Sequence, residues 1–177
     1  LIDGININNL NEDIMRENFA VVLQDPFLFE TTLKENITLD KDYSDEEVIH
    51  ALEGLGCYTL LKKGLNEPIK EKGSNLSQGE RQLISFARAY IRNPRILILD
   101  EATSNIDTET EQIIQQPLEK LKYSRTTLIV AHRLSTIRNV DKIFALSNGK
   151  IIESGTHDEL LLKDGFYKQM YDEQSSI

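Results

Sequence analysis

The chain alternates short apolar runs with longer stretches in which apolar residues recur at helical spacing. Short apolar runs bounded by turn residues are typical of strands that are buried on both faces of a sheet. Three runs fit this description: FAVVL (19–23), ILIL (96–99) and TTLIVA (126–131). Because helical stretches separate them along the chain, the pattern predicts an α/β fold with a mostly parallel sheet.

A hairpin is predicted further along the chain. The runs KIFAL (142–146) and KIIES (150–154) flank Ser147, Asn148 and Gly149. Asn-Gly between two apolar runs is a strong hairpin signal, because both residues tolerate the positive φ angles of a tight turn.

Three helix starts carry the same signal, a Ser or Thr followed three positions later by Glu. In such a capping box the hydroxyl accepts a hydrogen bond from one backbone N–H, and the carboxylate accepts one from another. These pairs predict helices near 45–54, from 78 to about 91 and near 157–163: Ser44 with Glu47, Ser77 with Glu80, and Thr156 with Glu159.

A fourth helix is predicted over residues 108–121, with its apolar residues on one face. Pro117 lies inside it, and we expect a lost hydrogen bond and a kink there. Residues 27–75 are predicted to be irregular and helical, an insertion between the first strand and the later ones. The predicted division is therefore a core of residues 1–26 and 93–177, with a helical subdomain over residues 27–92.

Composition and charge narrow the class of protein. The 177 residues suffice for one domain, and the net charge of -9 disfavours binding to nucleic acid. The single cysteine, Cys57, excludes an internal disulfide framework and fits a reducing compartment. No apolar run approaches the roughly 18 residues of a membrane span. The chain opens on Leu1 without an initiator methionine, and we expect it to be a piece of a longer protein.

The run ILIL ends abruptly in two carboxylates, Asp100 and Glu101. Ligands of open α/β sheets bind beyond the carboxyl ends of the strands. Asp100 is therefore a candidate ligand of Mg²⁺, and Glu101 is a candidate to polarise an attacking water. The alternative is a strand that simply ends in solvated acids.

The stretch NLSQGERQ (75–82) places a capping box and a glycine at a helix start. Ser77 and Glu80 explain the helix start by themselves, with no ligand. The free N–H groups and the dipole of such a helix end also attract anions, and Gly79 would leave room for a phosphate.

Two further polar residues follow predicted strands. Gln24 comes after FAVVL and could coordinate a metal ion, and His132 comes after TTLIVA and could contact a phosphate or a water. Each by itself is more commonly a loop residue without a role. Together with Asp100 and Glu101 they lie at the ends of three candidate parallel strands, an arrangement that suits phosphoryl transfer to water.

The chain resembles the nucleotide-binding domain of ATP-binding cassette (ABC) transporters. The resemblance covers essentially the whole chain, and five motifs occur in the family's order. VVLQDPFLF (21–29) resembles the Q-loop, LSQGE (76–80) the signature, ILILDEA (96–102) Walker B, SNID (104–107) the D-loop and AHRLST (131–136) the H-loop. It implies a P-loop NTPase (RecA-like) parallel-sheet core with an inserted α-helical subdomain. The Walker A loop, G-x-x-x-x-G-K-[ST], is missing, so the N-terminal Walker A strand, loop and helix are expected to lie upstream.

The resemblance also implies cofactors and roles. ATP and Mg²⁺ would be bound between two nucleotide-binding domains paired head to tail, as a homodimer or a heterodimer. Glu101 would activate water and His132 would contact the γ-phosphate, while Asp100 and Gln24 would serve the metal. The signature of one domain would face the ATP of the other, and a loop residue would link the two sites: Ser77, Gln78, Gly79 and Glu80 in the signature, and Asp107 in the loop.

Two stretches are similar to exporters whose membrane and nucleotide domains share one polypeptide, LFETTLKENI (28–37) and EKGSNLSQGERQ (71–82). Glu71 would help coupling to the membrane domain, although a solvated surface acid is the other interpretation. The expected protein is an ATPase of an ABC exporter on the cytoplasmic side of the cell membrane, without nucleic acid as a partner. Two alternatives stay open: a non-catalytic fragment that pairs but cannot bind ATP normally, and an ABC ATPase without a transport role.

Overall fold

The computed structural model describes residues 1–39, 41–100, 108–131 and 137–175. They form two compact units, Leu1–Val130 and Ala131–Ile177. Within the part of the chain that is described, no helix is both long enough and apolar enough to cross a membrane.

A three-stranded parallel sheet organises the first unit. Its strands are β1 (Phe19–Val22), β2 (Ile96–Asp100) and β3 (Thr126–Val130), in the spatial order β1-β2-β3. The predicted strands and their parallel direction are confirmed, but the expected burial on both faces is wrong, because Val21, Leu128 and Val130 are exposed on one face. In the register of this sheet Val22 lies opposite Leu99, and Asp100 lies opposite Val130. The carboxyl ends of all three strands therefore meet at one edge.

Helices pack against one face of this sheet in the first unit. Asn11 caps the first of them with its side chain, and Thr32, Ser44 and Ser77 each start a helix through a complete capping box. The boxes at Ser44 and Ser77 were predicted, whereas the box of Thr32 with Glu35 was not. The bounds are α1 Glu12–Asn18, α2 Leu33–Thr38, α3 Asp45–Leu55, α4 Tyr58–Lys63, α5 Gln78–Ile91 and α6 Thr108–Lys122, with single 3₁₀ turns at Ile7–Asn9 and Glu71–Gly73.

One hydrophobic core joins the sheet to the helices of residues 27–92. Ala20 and Val22 of β1 and Leu97 and Leu99 of β2 are buried in the same cluster as the apolar faces of α2, α3 and α5. The predicted boundaries at residues 26 and 93 stay a prediction, because this core is continuous across them. As predicted, the described part of residues 27–75 forms helices and irregular segments, with a single isolated bridge between Thr32 and Pro68.

Two details of the first unit differ from the expectations or go beyond them. Helix α6 runs from Thr108 to Lys122 through Pro117, so the proline does not divide the helix, and the kink itself stays a prediction. Helix α1 was not predicted, because the stretch EDIMREN carries few apolar positions at helical spacing.

The second unit contains the predicted hairpin and two helices. Strands β4 (Ile143–Ser147) and β5 (Lys150–Gly155) pair antiparallel, and Asn148 and Gly149 take the positive φ angles of 49° and 73° that the turn requires. Helix α7 (His157–Leu162) begins with the predicted capping box of Thr156, and α8 (Phe166–Ser175) follows. Ile143, Leu160 and Tyr167 form the small core of this unit.

Candidate functional site

Asp100 is the last residue of the central strand. It lies half-buried at the carboxyl end of β2, between the ends of β1 and β3. A carboxylate oxygen is a ligand that Mg²⁺ prefers, and this ion is commonly held by one or two protein carboxylates together with waters and phosphate oxygens. Asp100 therefore fits a magnesium site, although the described residues contain no cluster of three or more His, Cys, Asp or Glu side chains that could hold a metal ion.

Gln24 lies two residues beyond β1 and is half-buried. The backbone just before it is held from the signature helix, because the side chain of Gln82 on α5 donates to the carbonyl of Leu23 over 3.4 Å. Gln82 is buried, with 2% of its surface exposed. The start of the Q-loop and the helix of the signature motif are therefore joined directly within one unit.

The stretch NLSQGERQ forms the helix start that was predicted. The backbone N–H of Glu80 donates to Ser77 Oγ over 3.2 Å, and the N–H of Ser77 donates to Glu80 Oε2 over 2.8 Å. Ser77 is exposed, Gln78 is half-buried and Gly79 is buried. The 14-residue helix α5 thus begins at an exposed N-cap residue, while its first turn is half-buried or buried.

The second carboxylate oxygen of Glu80 has a partner of its own. Lys63, the last residue of α4, places Nζ at 3.1 Å from Glu80 Oε1. The side chains of Lys63 and Glu80 are 30% and 19% exposed, respectively. This ion pair could not be predicted from the sequence, because a charged residue at the end of a short helix carries no signal of its partner.

The loop before the signature is fixed by two polar side chains. Asn75 accepts from the N–H of Lys70 at 2.9 Å and donates to the carbonyl of Pro68 at 3.0 Å. Arg81 donates to the carbonyl of Leu76 at 2.9 Å. These bonds satisfy backbone groups that the irregular chain would otherwise leave unpaired.

Gly73, in the stretch EKG, allows a close approach between this loop and the segment after Gln24. Its φ is +68°, and a Cβ atom added there would lie 2.6 Å from Leu28 Cδ1. Leu28 is buried in the core. Glycine is therefore needed at position 73 both for the backbone angle and for the space.

The side chains of Asn36 and Arg88 form a polar clamp that holds the segment after the Q-loop. The side chain of Asn36, fully buried on α2, accepts from the N–H of Phe29 and donates to the Phe29 and Thr32 carbonyls and to Thr31 Oγ1, over 2.9 to 3.1 Å. Arg88 of α5 donates to the Asn36 carbonyl, to Asn36 Oδ1 at 3.1 Å and to the carbonyl of Phe27 at 2.6 Å. Burial lowers the pKa of Arg88 to about 10, so its guanidinium stays charged at neutral pH.

An apolar groove lies beside this clamp. Phe27 and Phe29 are 64% and 49% exposed, and their rings pack edge to face with centroids 5.0 Å apart. The groove encloses about 200 Å³ between β1, α5 and the end of α2. Its lining is mostly apolar: Ala20, Val21, Leu23, Pro26, Phe27, Leu39, Ser85, Arg88, Ala89 and Arg92. The groove and the clamp could not be predicted from the sequence, because both depend on contacts between distant segments.

Three predicted site residues fall outside the part of the chain that the structure describes. Glu101, Asp107 and His132 lie outside the described residues, so their roles stay predictions. The structure brings Asp100 and Gln24 to the carboxyl ends of neighbouring strands, as predicted.

Comparison with known proteins identifies the family. The sequence model described as ABC transporter matches residues 1–104. The chain belongs to the ABC transporter family. The α/β fold is the ABC ATPase fold, and 98% of the chain superposes with a TM-score of 0.87 and 38% identity on 31% of a chain in the solved structure of a bacterial Atm1-family ABC exporter with ATP bound.

Curated ABC transporters resemble the chain over nearly its whole length. It is 53% identical over 98% of its residues to the probable multidrug resistance ABC transporter ATP-binding/permease protein YheH of Bacillus subtilis. It is 46% identical over 96% of its residues to the ATP-dependent lipid A-core flippase of Neisseria gonorrhoeae. The chain spans only 26% and 28% of the lengths of these two relatives.

Proposed function

We propose that this chain is part of the ATP-binding and ATP-hydrolysing domain of an ABC exporter, which powers transport of a substrate across a membrane. The observation that carries the proposal is the position of Asp100 at the carboxyl end of the central parallel strand, with Gln24 beyond the neighbouring one. Family membership supports the same assignment, and the names of the relatives favour an exporter.

The catalytic groups act on ATP held at the carboxyl edge of the sheet. Asp100 and Gln24 would hold Mg²⁺ through oxygen atoms, directly or through water. Glu101 accepts the proton of the attacking water, and His132 donates a hydrogen bond to the γ-phosphate. Hydrolysis in this class depends mainly on positioning and on stabilisation of charge, so the fixed ends of β1 and β2 suit the task.

The helix start at Ser77 serves the ATP of a partner domain. Two domains pair head to tail, and the hydroxyl of the exposed residue Ser77 and the N–H groups of the first turn of α5 approach the partner's γ-phosphate. Gln78, Gly79 and Glu80 shape this contact, and Asp107 links the two sites. The partner is a second nucleotide-binding domain, in a homodimer or a heterodimer.

The transmembrane part of the exporter is the second partner. We assign its docking position to the apolar groove beside Phe27, because exposed aromatic residues are enriched where proteins associate. The relative YheH is described as an ATP-binding/permease protein that is about four times as long as this chain, which supports a fused membrane part. Such a domain would lie on the cytoplasmic side of the membrane, where ATP is available.

A non-catalytic role is the alternative for the 177 residues taken alone. They contain no G-x-x-x-x-G-K-[ST] sequence, and the lysine and backbone N–H groups of that loop supply much of the binding of the phosphates. An ABC ATPase without a transport role is disfavoured, because the two relatives are named as a multidrug resistance transporter and a lipid flippase.

Substitution of the proposed base in the full-length protein tests the function. Glu101→Gln should abolish ATP hydrolysis while pairs with bound ATP accumulate, because binding precedes the step that needs the carboxylate. Glu173→Gln, an exposed acid of α8, is the matched control and should hydrolyse ATP at the parent rate. Hydrolysis retained by Glu101→Gln would count against this assignment.

A further inference from the structure

The signature helix of this chain carries a negative charge where the proposed function places a phosphate. Glu80 lies in the first turn of α5, and one of its carboxylate oxygens accepts the N–H of Ser77 at 2.8 Å. A carboxylate close to a triphosphate repels it, and the repulsion grows where water is excluded. A neutral amide at this position would keep the cap without the charge.

Lys63 forms an ion pair with this carboxylate without disturbing the helix cap. Its Nζ lies 3.1 Å from the oxygen of Glu80 that does not serve the cap, so the two oxygens have separate partners. The ion pair offsets the charge of Glu80 and holds the carboxylate turned back toward Ser77. Because four-fifths of the Glu80 side chain is covered, solvent screens this pair less than a pair at the open surface.

From this geometry we propose that Lys63 is a positioning residue of the nucleotide site. It acts through Glu80 on the first turn of α5, keeping the Ser77 hydroxyl and the neighbouring N–H groups available to the partner's γ-phosphate. Lys63 itself touches no nucleotide in this scheme. The inference rests on the proposed function, since it requires that ATP is bound against Ser77 in a paired state.

A double-mutant cycle in the full-length protein tests the proposal. Glu101→Gln stops turnover in every sample, and the ATP concentration at half-maximal pairing of the nucleotide-binding domains is measured by energy transfer between labelled domains. Lys63→Met removes the charge and retains the apolar stem, and it should raise this concentration roughly three- to tenfold. Lys62→Met, on the exposed neighbour in the same helix, is the matched control and should change it less than about twofold.

The second half of the cycle uses Glu80→Gln, which keeps an acceptor for the N–H of Ser77 but removes the charge. In that background Lys63→Met should change the half-maximal ATP concentration by less than about twofold, because the charge that Lys63 offsets is gone. A thermal melt separates a loss of fold from a loss of positioning, and the two lysine variants should melt within about two degrees of each other.

Three results would overturn the proposal. Lys63→Met could behave like Lys62→Met, its effect could persist undiminished beside Glu80→Gln, or it could track a lower melting temperature. A failure of the proposed function gives a different result, because the Glu101→Gln parent itself would then show no pairing that depends on ATP.

Discussion

The buried side-chain amide of Gln82 donates a hydrogen bond to the backbone carbonyl of Leu23, one residue before Gln24. Gln82 lies on the signature helix and Leu23 follows the first strand of the sheet, so a single contact joins two segments of the proposed site. In the proposed pair the two segments serve different ATP molecules. Gln24 serves the domain's own ATP, and Ser77 serves the partner's ATP.

Gln82→Leu should loosen the Q-loop. The substitution leaves the carbonyl of Leu23 without its partner and should lower the free energy of unfolding by about 1 kcal/mol, given the long 3.4 Å bond. Because Gln24 follows directly, the full-length variant should also need several-fold more Mg²⁺ for half-maximal hydrolysis. Gln115→Leu, on an exposed position of α6, is the control and should leave the Mg²⁺ requirement unchanged. An unaltered Mg²⁺ requirement in Gln82→Leu would show that this contact does not contribute to the binding of Mg²⁺.

Gly73→Ala should be strongly destabilising. The new methyl group would meet Leu28 Cδ1 at 2.6 Å in the core, and alanine at a φ of +68° is strained, so we expect a loss of about 2–4 kcal/mol. Gly149→Ala separates the two causes, because Gly149 has a φ of +73° and open space around it, and it should cost only about 1 kcal/mol. Urea unfolding followed by circular dichroism measures both, and equal losses would show that the contact with Leu28 is unimportant.

Cys57 should be unreactive in the folded protein. Burial raises the pKa of its thiol to about 12, against a smaller opposing effect of the Lys120 charge. Alkylation with iodoacetamide at pH 8 should therefore be slow until denaturant is added. Rapid labelling of the folded chain would contradict the buried position.

The same shift makes stability depend on pH. Because the folded pKa lies above the unfolded value of 9.0, the stabilisation is complete below pH 9 and is lost as the pH rises toward 12. Between pH 8 and 10 the expected loss is about 1 kcal/mol. Cys57→Ala should lack this part of the pH dependence in parallel urea titrations.

The 177 residues alone should bind Mg-ATP very weakly. The triphosphate would lack the lysine and backbone N–H groups of a Walker A loop, and much of its charge would have no partner. Isothermal titration calorimetry measures this directly. A micromolar dissociation constant would contradict this prediction, because it would show that the 177 residues suffice to bind Mg-ATP.

Local signals explain what could be predicted from the sequence. The capping box of Ser77 with Glu80 spans four residues, and the apolar runs ILIL and TTLIVA are each continuous in sequence. Both could therefore be predicted without knowledge of tertiary contacts. The resemblance to the family supplied the roles of residues such as Gln24, which composition and spacing alone leave ambiguous.

The missed features depend on side chains that meet only after folding. Arg88 and Asn36 are 52 residues apart in sequence, and Gln82 and Leu23 are 59 apart. A polar residue on the buried face of a helix is a weak hint of such a partner, and Asn36 and Gln82 both carry that hint. The ion pair of Lys63 and Glu80 has no such hint in the sequence, because each is an ordinary charged residue near a helix end.

The central claim is that Ser77 serves the nucleotide of the partner domain while Glu101 serves its own. The most direct test is the rate of ATP hydrolysis by a purified mixed pair of full-length protomers, one with Ser77→Arg and the other with Glu101→Gln. Head-to-tail pairing leaves one of the two sites intact, so the mixed pair should hydrolyse ATP well above the rates of pairs formed by either variant alone. A mixed pair no more active than those parents would contradict the account.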